Sequence, residues 1–322
     1  MNEPTANPSG ASAQRAPGSP PSPGTPLSEQ HHPRLFRANT YVYPVLSRRS
    51  KGVSVGINLN PDKVCNFDCI YCQVDRTKVP QEFFVGLPQL LAELNAVLTG
   101  LLPGGWLWSE PEFAAVPLEK RRVADIAFSG DGEPTTFKNF SEVVERCIEV
   151  KERVGQRDAK VVLISNATGF DRPDVRRGLD FMAAHNGEIW AKLDAGSGAY
   201  FALIDNTAFP FDKVLANIAD AARRYPLVIQ SCFMKVKGAG PSAEEIGEFV
   251  KRLREIGEQG GRIRLVQVYT VARNPALSIV SSLSAAEVDG IAQRVRTEAG
   301  LTAESYYGDV PEGQGHEAVK PA

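Results

Sequence analysis

Between positions 53 and 271, six runs of seven to nine mostly apolar residues recur: VSVGINL (53–59), VADIAFSG (123–130), KVVLISNAT (160–168), EIWAKLDAG (188–196), LVIQSCFMK (227–235) and IRLVQVYTV (263–271). The segments between them carry helical apolar spacing. Leu90, Leu91, Leu94, Val97, Leu98 and Leu101 form one stripe, and Phe140, Val143, Val144, Cys147 and Ile148 another. Such alternation restricts the chain to an α/β architecture, because parallel neighbours must be joined by a crossover and the crossover is a helix. Two later helices start at Ser242 and Ser284, each with a Glu three residues on, which predicts capping boxes. Six right-handed units in about 220 residues fall short of the eight that close a barrel, so an incomplete parallel barrel is expected. Its functional groups belong on the loops at the carboxyl ends of the strands.

The flanks differ in kind. Residues 1–40 are rich in Pro, Ser, Gly and Ala and are read as a disordered tail, residues 310–322 as a short flexible one, and residues 41–309 as the barrel. The 36 Lys and Arg nearly balance the 38 Asp and Glu, so no global field points to nucleic acid or a membrane. With no secretory leader and no apolar run of about 18 residues, a soluble cytoplasmic protein without a membrane partner is expected. A local basic stretch, Arg34, Arg37, Arg48, Arg49 and Lys51, reads either as a patch for RNA phosphates or as a solvated flank.

Three of the five cysteines, Cys65, Cys69 and Cys72, fall within eight residues on the loop after the first strand. Clustered thiols in a reducing compartment indicate metal or redox chemistry rather than disulfides. Structural zinc normally takes four protein ligands, and neither His nor a further Cys lies nearby. A four-iron cluster held by three thiolates keeps one iron open to another ligand. Cys147 and Cys232 read as core residues, and no His is placed for catalysis or metal binding.

This spacing, with Tyr71 just before the last cysteine, resembles the radical S-adenosylmethionine (radical SAM) enzymes. The resemblance implies a partial parallel (β/α)6 barrel of radical SAM type. It further implies that Cys65, Cys69 and Cys72 hold a [4Fe-4S] cluster whose open iron is chelated by S-adenosylmethionine. One electron would then cleave the sulfonium carbon–sulfur bond to give a 5′-deoxyadenosyl radical, which takes a hydrogen atom from the substrate. Flavodoxin or ferredoxin is the family's usual reductant.

Other family segments follow in order. FSGDGEPTT resembles the Gly-Gly-Glu-Pro motif in Gly132, Glu133 and Pro134, with Asp131 in place of the first Gly, and the resemblance assigns it to the methionine ammonium. By itself it would read as a glycine-rich turn. The third strand ends in SNAT, where Ser165 and Asn166 match the family's Thr-Asn-Gly segment. In the fourth, alternation places Trp190, Lys192 and Asp194 on one face. The resemblance gives Lys192 to the methionine carboxylate and Asp194 to the ribose; the alternative is that the two pair with each other. Gln230, Gln267, Tyr269 and Arg273 are further candidates, the glutamines also reading as amides satisfied by neighbours.

Within the family, the chain looks like the subgroup that contains the wyosine-type tRNA-modifying synthases and their bacterial relatives. No cysteines are left in a suitable cluster for the second iron-sulfur centre of those synthases, so the chemistry carries over and the substrate, tRNA or a small metabolite, does not. The other reading is a non-catalytic iron-sulfur or zinc-bearing RNA-binding protein.

Overall fold

The computed structural model describes Leu27 and residues 36–80, 82–275 and 277–311. Most of the expected tails therefore lie outside the described residues. Leu27, Phe36 and Val310, which fall within them, are buried.

All six expected strands form, in the expected order. They are β2 (Gly52–Ile57), β3 (Val123–Phe128), β4 (Lys160–Ser165), β5 (Gly187–Lys192), β6 (Leu227–Cys232) and β8 (Ile263–Tyr269). The sheet gains an edge on each side: β1 (Val42–Ser47), antiparallel to β2, and β10 (Ala303–Tyr306), parallel to β8. Neither edge follows from the alternation. β1 contains Pro44, which an edge strand tolerates because only one side of it donates to a neighbour, and β10 is only four residues long. The order β1-β2-β3-β4-β5-β6-β8-β10 is sequential, and the sheet curls into a partial barrel.

Helices α1 (Leu87–Gly100), α2 (Phe140–Val154), α3 (Pro173–Ala184), α4 (Gly198–Ile204), α5 (Phe211–Arg224), α6 (Ala243–Glu258) and α7 (Ala285–Ala299) cover the convex face. Both predicted apolar stripes face the sheet: Leu90, Leu94, Val97 and Leu98 of α1 are buried, as are Phe140, Val143, Val144, Cys147 and Ile148 of α2. Alternation along each strand divides the core. Val55, Ile126, Val161, Ile189, Ile229 and Val266 pack under the helices, while Ala127, Val162, Trp190 and Val228 form a separate cluster on the concave side.

Each expected strand runs past its observed end by two to four residues, because apolar content alone cannot mark where pairing stops. Residues 233–235 show this most clearly. Pairing breaks at Phe233, and Met234–Val236 form a small strand, β7, that pairs antiparallel with β9 (Val280–Ser282). The overrun segments are the loops at the barrel mouth.

One capping box is complete and one is not. Ser284 and Glu287 cap α7 reciprocally. The Ser242 hydroxyl accepts from the Glu245 N–H, but the Glu245 carboxylate turns away to accept from Gly196 N at 2.5 Å and from the Ser197 hydroxyl at 2.5 Å. Packing explains the diversion: a Cβ at position 196 would lie 2.0 Å from Phe249 N, so the loop after β5 rests directly on α6.

Candidate active site at the barrel mouth

The loop after β2 is shaped by its own polar side chains. Asn58 Oδ1 accepts from Asn60 N at 3.0 Å and from Asp131 N at 3.1 Å, while Asn58 Nδ2 donates to Asp131 Oδ2 at 2.8 Å. Lys63 adopts the left-handed region at φ 61° and donates its N–H to Asn60 O. This turns the chain so that Cys65, Cys69 and Cys72 all line one cavity of about 310 Å³.

The three thiols are free of disulfides, and each has its own partner. The Phe67 N–H faces Cys65, Cys69 donates to Asp205 at 3.4 Å, and Arg76 Nη1 donates to Cys72 at 3.2 Å. Burial pushes Cys65 and Cys69 up from the usual thiol range. Among the described residues, no group of three or more His, Cys, Asp or Glu is placed so as to hold a metal ion. The donor chemistry nonetheless fits an iron-sulfur cluster: three disulfide-free thiols on one loop open to one cavity, with N–H donors at two of the sulfurs, and hydrogen bonds to sulfur tune such clusters.

The second segment lies against the first. A Cβ at Gly130 would fall 2.4 Å from Asn58 Oδ1, and one at Gly132 would fall 2.1 Å from Val64 O, so glycine lets residues 130–132 touch the cysteine loop. Glu133 is buried and caps the short turn that Pro134 opens. Its Oε1 accepts from Thr135 N at 3.0 Å, Thr135 Oγ1 at 2.6 Å and Ser165 Oγ at 2.7 Å, and its Oε2 from Asn166 N at 2.8 Å. Burial pushes this carboxyl up, and the four donors pull against it. Glu133, Ser165 and Asn166 are therefore one hydrogen-bonded unit that ties the loop after β3 to the loop after β4. Asn166 extends it to the cysteine loop, donating to Asn66 Oδ1 at 2.8 Å.

At β5 the predicted face is the observed one, with Trp190 and Lys192 lining the cavity and Ile189, Ala191 and Leu193 in the helix-side core. Lys192 Nζ lies 2.9 Å from Asp194 Oδ2, the pairing that the alternative reading anticipates. Asp194 also accepts from the Tyr71 hydroxyl and from Cys232 N at 2.7 Å. Lys192 donates to the Tyr269 hydroxyl at 3.0 Å and stands over the rings of Tyr71 and Tyr269. Burial would lower its pKa, but Asp194 together with Tyr269, Cys232 and Cys69 outweighs that and holds the ammonium well above its usual range. Gln230 donates to Gln267 at 2.8 Å, as expected of paired buried amides, and Arg273 lines the cavity mouth.

Cys147 and Cys232 are buried, as expected of core residues, and His185 stacks on Phe181. The basic stretch does not form one surface. Arg37 pairs with Glu110 and Glu112, Arg48 donates to Tyr307 O, Arg49 enters the lumen, and Arg34 lies outside the described residues. Sequence reasoning passed over Arg76 and Asp205. Arg76, four residues after Cys72, carries a positional hint; Asp205, distant in sequence, carries none.

The chain has the partial-barrel fold of radical SAM enzymes: a radical SAM methyltransferase from Sphaerobacter thermophilus, 14% identical, superposes with a TM-score of 0.58 over 85% of this chain and 72% of that one. No family model matches. Among curated proteins, a UPF0026 protein of Helicobacter pylori is 25% identical over 218 residues, covering 66% of this chain and 61% of that protein. A protein named GTPase Obg of Brachyspira hyodysenteriae is 27% identical over 228 residues, 69% of this chain and 29% of that protein. The chain thus spans less than two thirds of the length of these curated relatives. Among the described residues, no helix is long and apolar enough to cross a membrane.

Proposed function

We propose that the chain is a radical SAM enzyme that holds a [4Fe-4S] cluster through Cys65, Cys69 and Cys72 and binds S-adenosylmethionine beside it. The observation that carries this reading is the convergence of three unpaired thiols and the Gly132–Glu133 turn on a single cavity at the carboxyl ends of a radical SAM-type barrel. Held by Cys65, Cys69 and Cys72, the cluster would supply one electron for reductive cleavage of the sulfonium carbon–sulfur bond, with methionine released and the 5′-deoxyadenosyl group left as the radical.

The chain's own residues position and shield. Arg76 directs an N–H at the Cys72 sulfur, the kind of hydrogen bond that tunes a cluster thiolate. Tyr71 is locked to Asp194 beside the cysteines, which fixes that end of the loop against β5. Lys192 keeps a cation in the cavity within reach of the methionine carboxylate, with its Asp194 partner turned to the ribose side. Backbone carbonyls of the Gly130–Gly132 segment are suited to the methionine ammonium, since four donors already engage Glu133. The electron is supplied by a flavodoxin or ferredoxin, and the substrate is tRNA or a small metabolite.

Anaerobic reconstitution tests the reading. About four irons per chain and release of 5′-deoxyadenosine with dithionite are expected, with both lost when Cys65, Cys69 or Cys72 is changed to Ala. Zinc retained in place of iron, or iron without deoxyadenosine, would overturn it.

A further inference from the structure

The cavity continues from the mouth into the lumen of the barrel, and a cation enters it from the opposite side. Arg49 lies on the turn between β1 and β2, at the amino end of β2, whereas the cysteines follow the carboxyl end of that strand. Its guanidinium lies 5.1 Å from the Tyr269 ring centroid and 5.9 Å from that of Trp190. Nη1 is buried and has no hydrogen-bond partner. Asp125, the buried lumen carboxylate whose charge Arg49 feels, is engaged instead by Ser54 and Ser50.

A guanidinium carries five N–H donors in a planar fork and cannot discard its proton. One of these donors, Nη1, is held away from water with nothing to accept its hydrogens. Aromatic rings attract the cation through their π faces but do not satisfy the N–H groups. The rings that flank Arg49 are themselves held in place. Trp190 Nε1 donates to Glu188 at 3.0 Å, and the Tyr269 hydroxyl accepts from Lys192. A fixed fork facing a cavity, with a donor still to be satisfied, matches the two oxygens of a carboxylate or phosphate.

We infer that Arg49 binds the oxyanion of a small anionic substrate, a carboxylate or a phosphate, in the lumen between Trp190 and Tyr269. The inference rests on the function proposed above for the word substrate, and on the arginine alone for the oxyanion. It assigns S-adenosylmethionine and the second molecule to two different cations of one cavity. Lys192, already paired with Asp194, stands over Tyr71 of the cysteine loop, and Arg49, without an ion-pair partner among the described residues, reaches the shared Tyr269 ring from the β1–β2 turn.

The test uses the full chain as purified. Inorganic phosphate and malonate are titrated separately at constant ionic strength while tryptophan fluorescence is followed, and S-adenosylmethionine binding is measured in parallel by calorimetry. Saturable binding of at least one anion is expected, and the one that saturates separates phosphate from carboxylate. Arg49→Gln should weaken it by about tenfold or more and Arg49→Lys by less, because lysine keeps the charge but not the fork. S-adenosylmethionine affinity should be unchanged in both variants. Near-UV circular dichroism checks folding, and if Arg49→Gln is perturbed, the Arg49→Lys weakening decides. Absence of saturation by either anion, or equal anion affinity in wild type and variants, would overturn the inference. So would a parallel loss of S-adenosylmethionine affinity, which would assign Arg49 to the methionine carboxylate. Failure of the wild type to bind S-adenosylmethionine while the anion result stands would remove the proposed function and leave the oxyanion site in place.

Discussion

Lys192 and Asp194 stand two residues apart at the end of β5, and their side chains meet at 2.9 Å with the carboxylate almost wholly buried. Breaking such a pair from one side leaves an uncompensated charge in the cavity. Asp194→Asn should therefore destabilise the fold by about 3–5 kcal/mol. Adding Lys192→Met should recover part of that loss. Denaturant unfolding measures both, and a loss under about 1 kcal/mol in the single variant would show that water screens the pair.

Glu133 gathers four donors from three positions, so removing its charge should cost more than removing any one donor. Glu133→Gln is expected to lower stability by about 2–3 kcal/mol and Ser165→Ala by about 1 kcal/mol. Equal losses in the two variants would mean that the Ser165 contact, and not the carboxylate, sets the strength of the unit.

Gly132→Ala places a methyl 2.1 Å from Val64 O, whereas Gly198→Ala meets nothing within 4 Å. The first should displace the cysteine loop and cut iron incorporation on reconstitution to less than about half, at a stability cost of about 1–3 kcal/mol. The second should match wild type. Normal iron uptake by Gly132→Ala would show that the two segments move independently.

Glu188 holds Trp190 in place and is flanked by Lys160 at 2.5 Å and Arg264 at 2.6 Å. Burial would raise its carboxyl, but these partners outweigh burial and hold it below the usual value. A depressed folded pKa contributes stability that is full above the unfolded carboxylate value of about 4.3 and is lost as pH falls through the lower folded value. The stability advantage of wild type over Glu188→Gln should accordingly be constant near neutrality and shrink in acid. An advantage that grows on acidification would reverse the assignment.

Much of this protein was legible before any coordinates. Period-2 runs alternating with helical stripes define the six central strands, their order and the faces of α1 and α2, because side-chain periodicity is a local property of the backbone. The inward face of Trp190 and Lys192 followed from the same alternation. The edge strands did not. Pro44 interrupts the strand signal in β1, and β10 is too short to show a period. The placement of the basic stretch was not legible either: the β1–β2 turn sends Arg49 into the lumen while Arg37 finds Glu110 and Glu112 more than 70 residues away.

The sequence by itself determined the strand–helix order, the three thiols on one loop and the side of the barrel on which they fall, since each depends on residue type and spacing within a single element. Only the tertiary structure decided who meets whom. Glu133 is engaged by Ser165 and Asn166, Glu245 leaves its own helix cap for Gly196, Lys192 finds Asp194 and Tyr269, and Arg49 reaches Trp190 and Tyr269. Most of these contacts join elements far apart in the chain. Their partners are selected by packing and by the need to satisfy buried charge, neither of which leaves a pattern within any one segment.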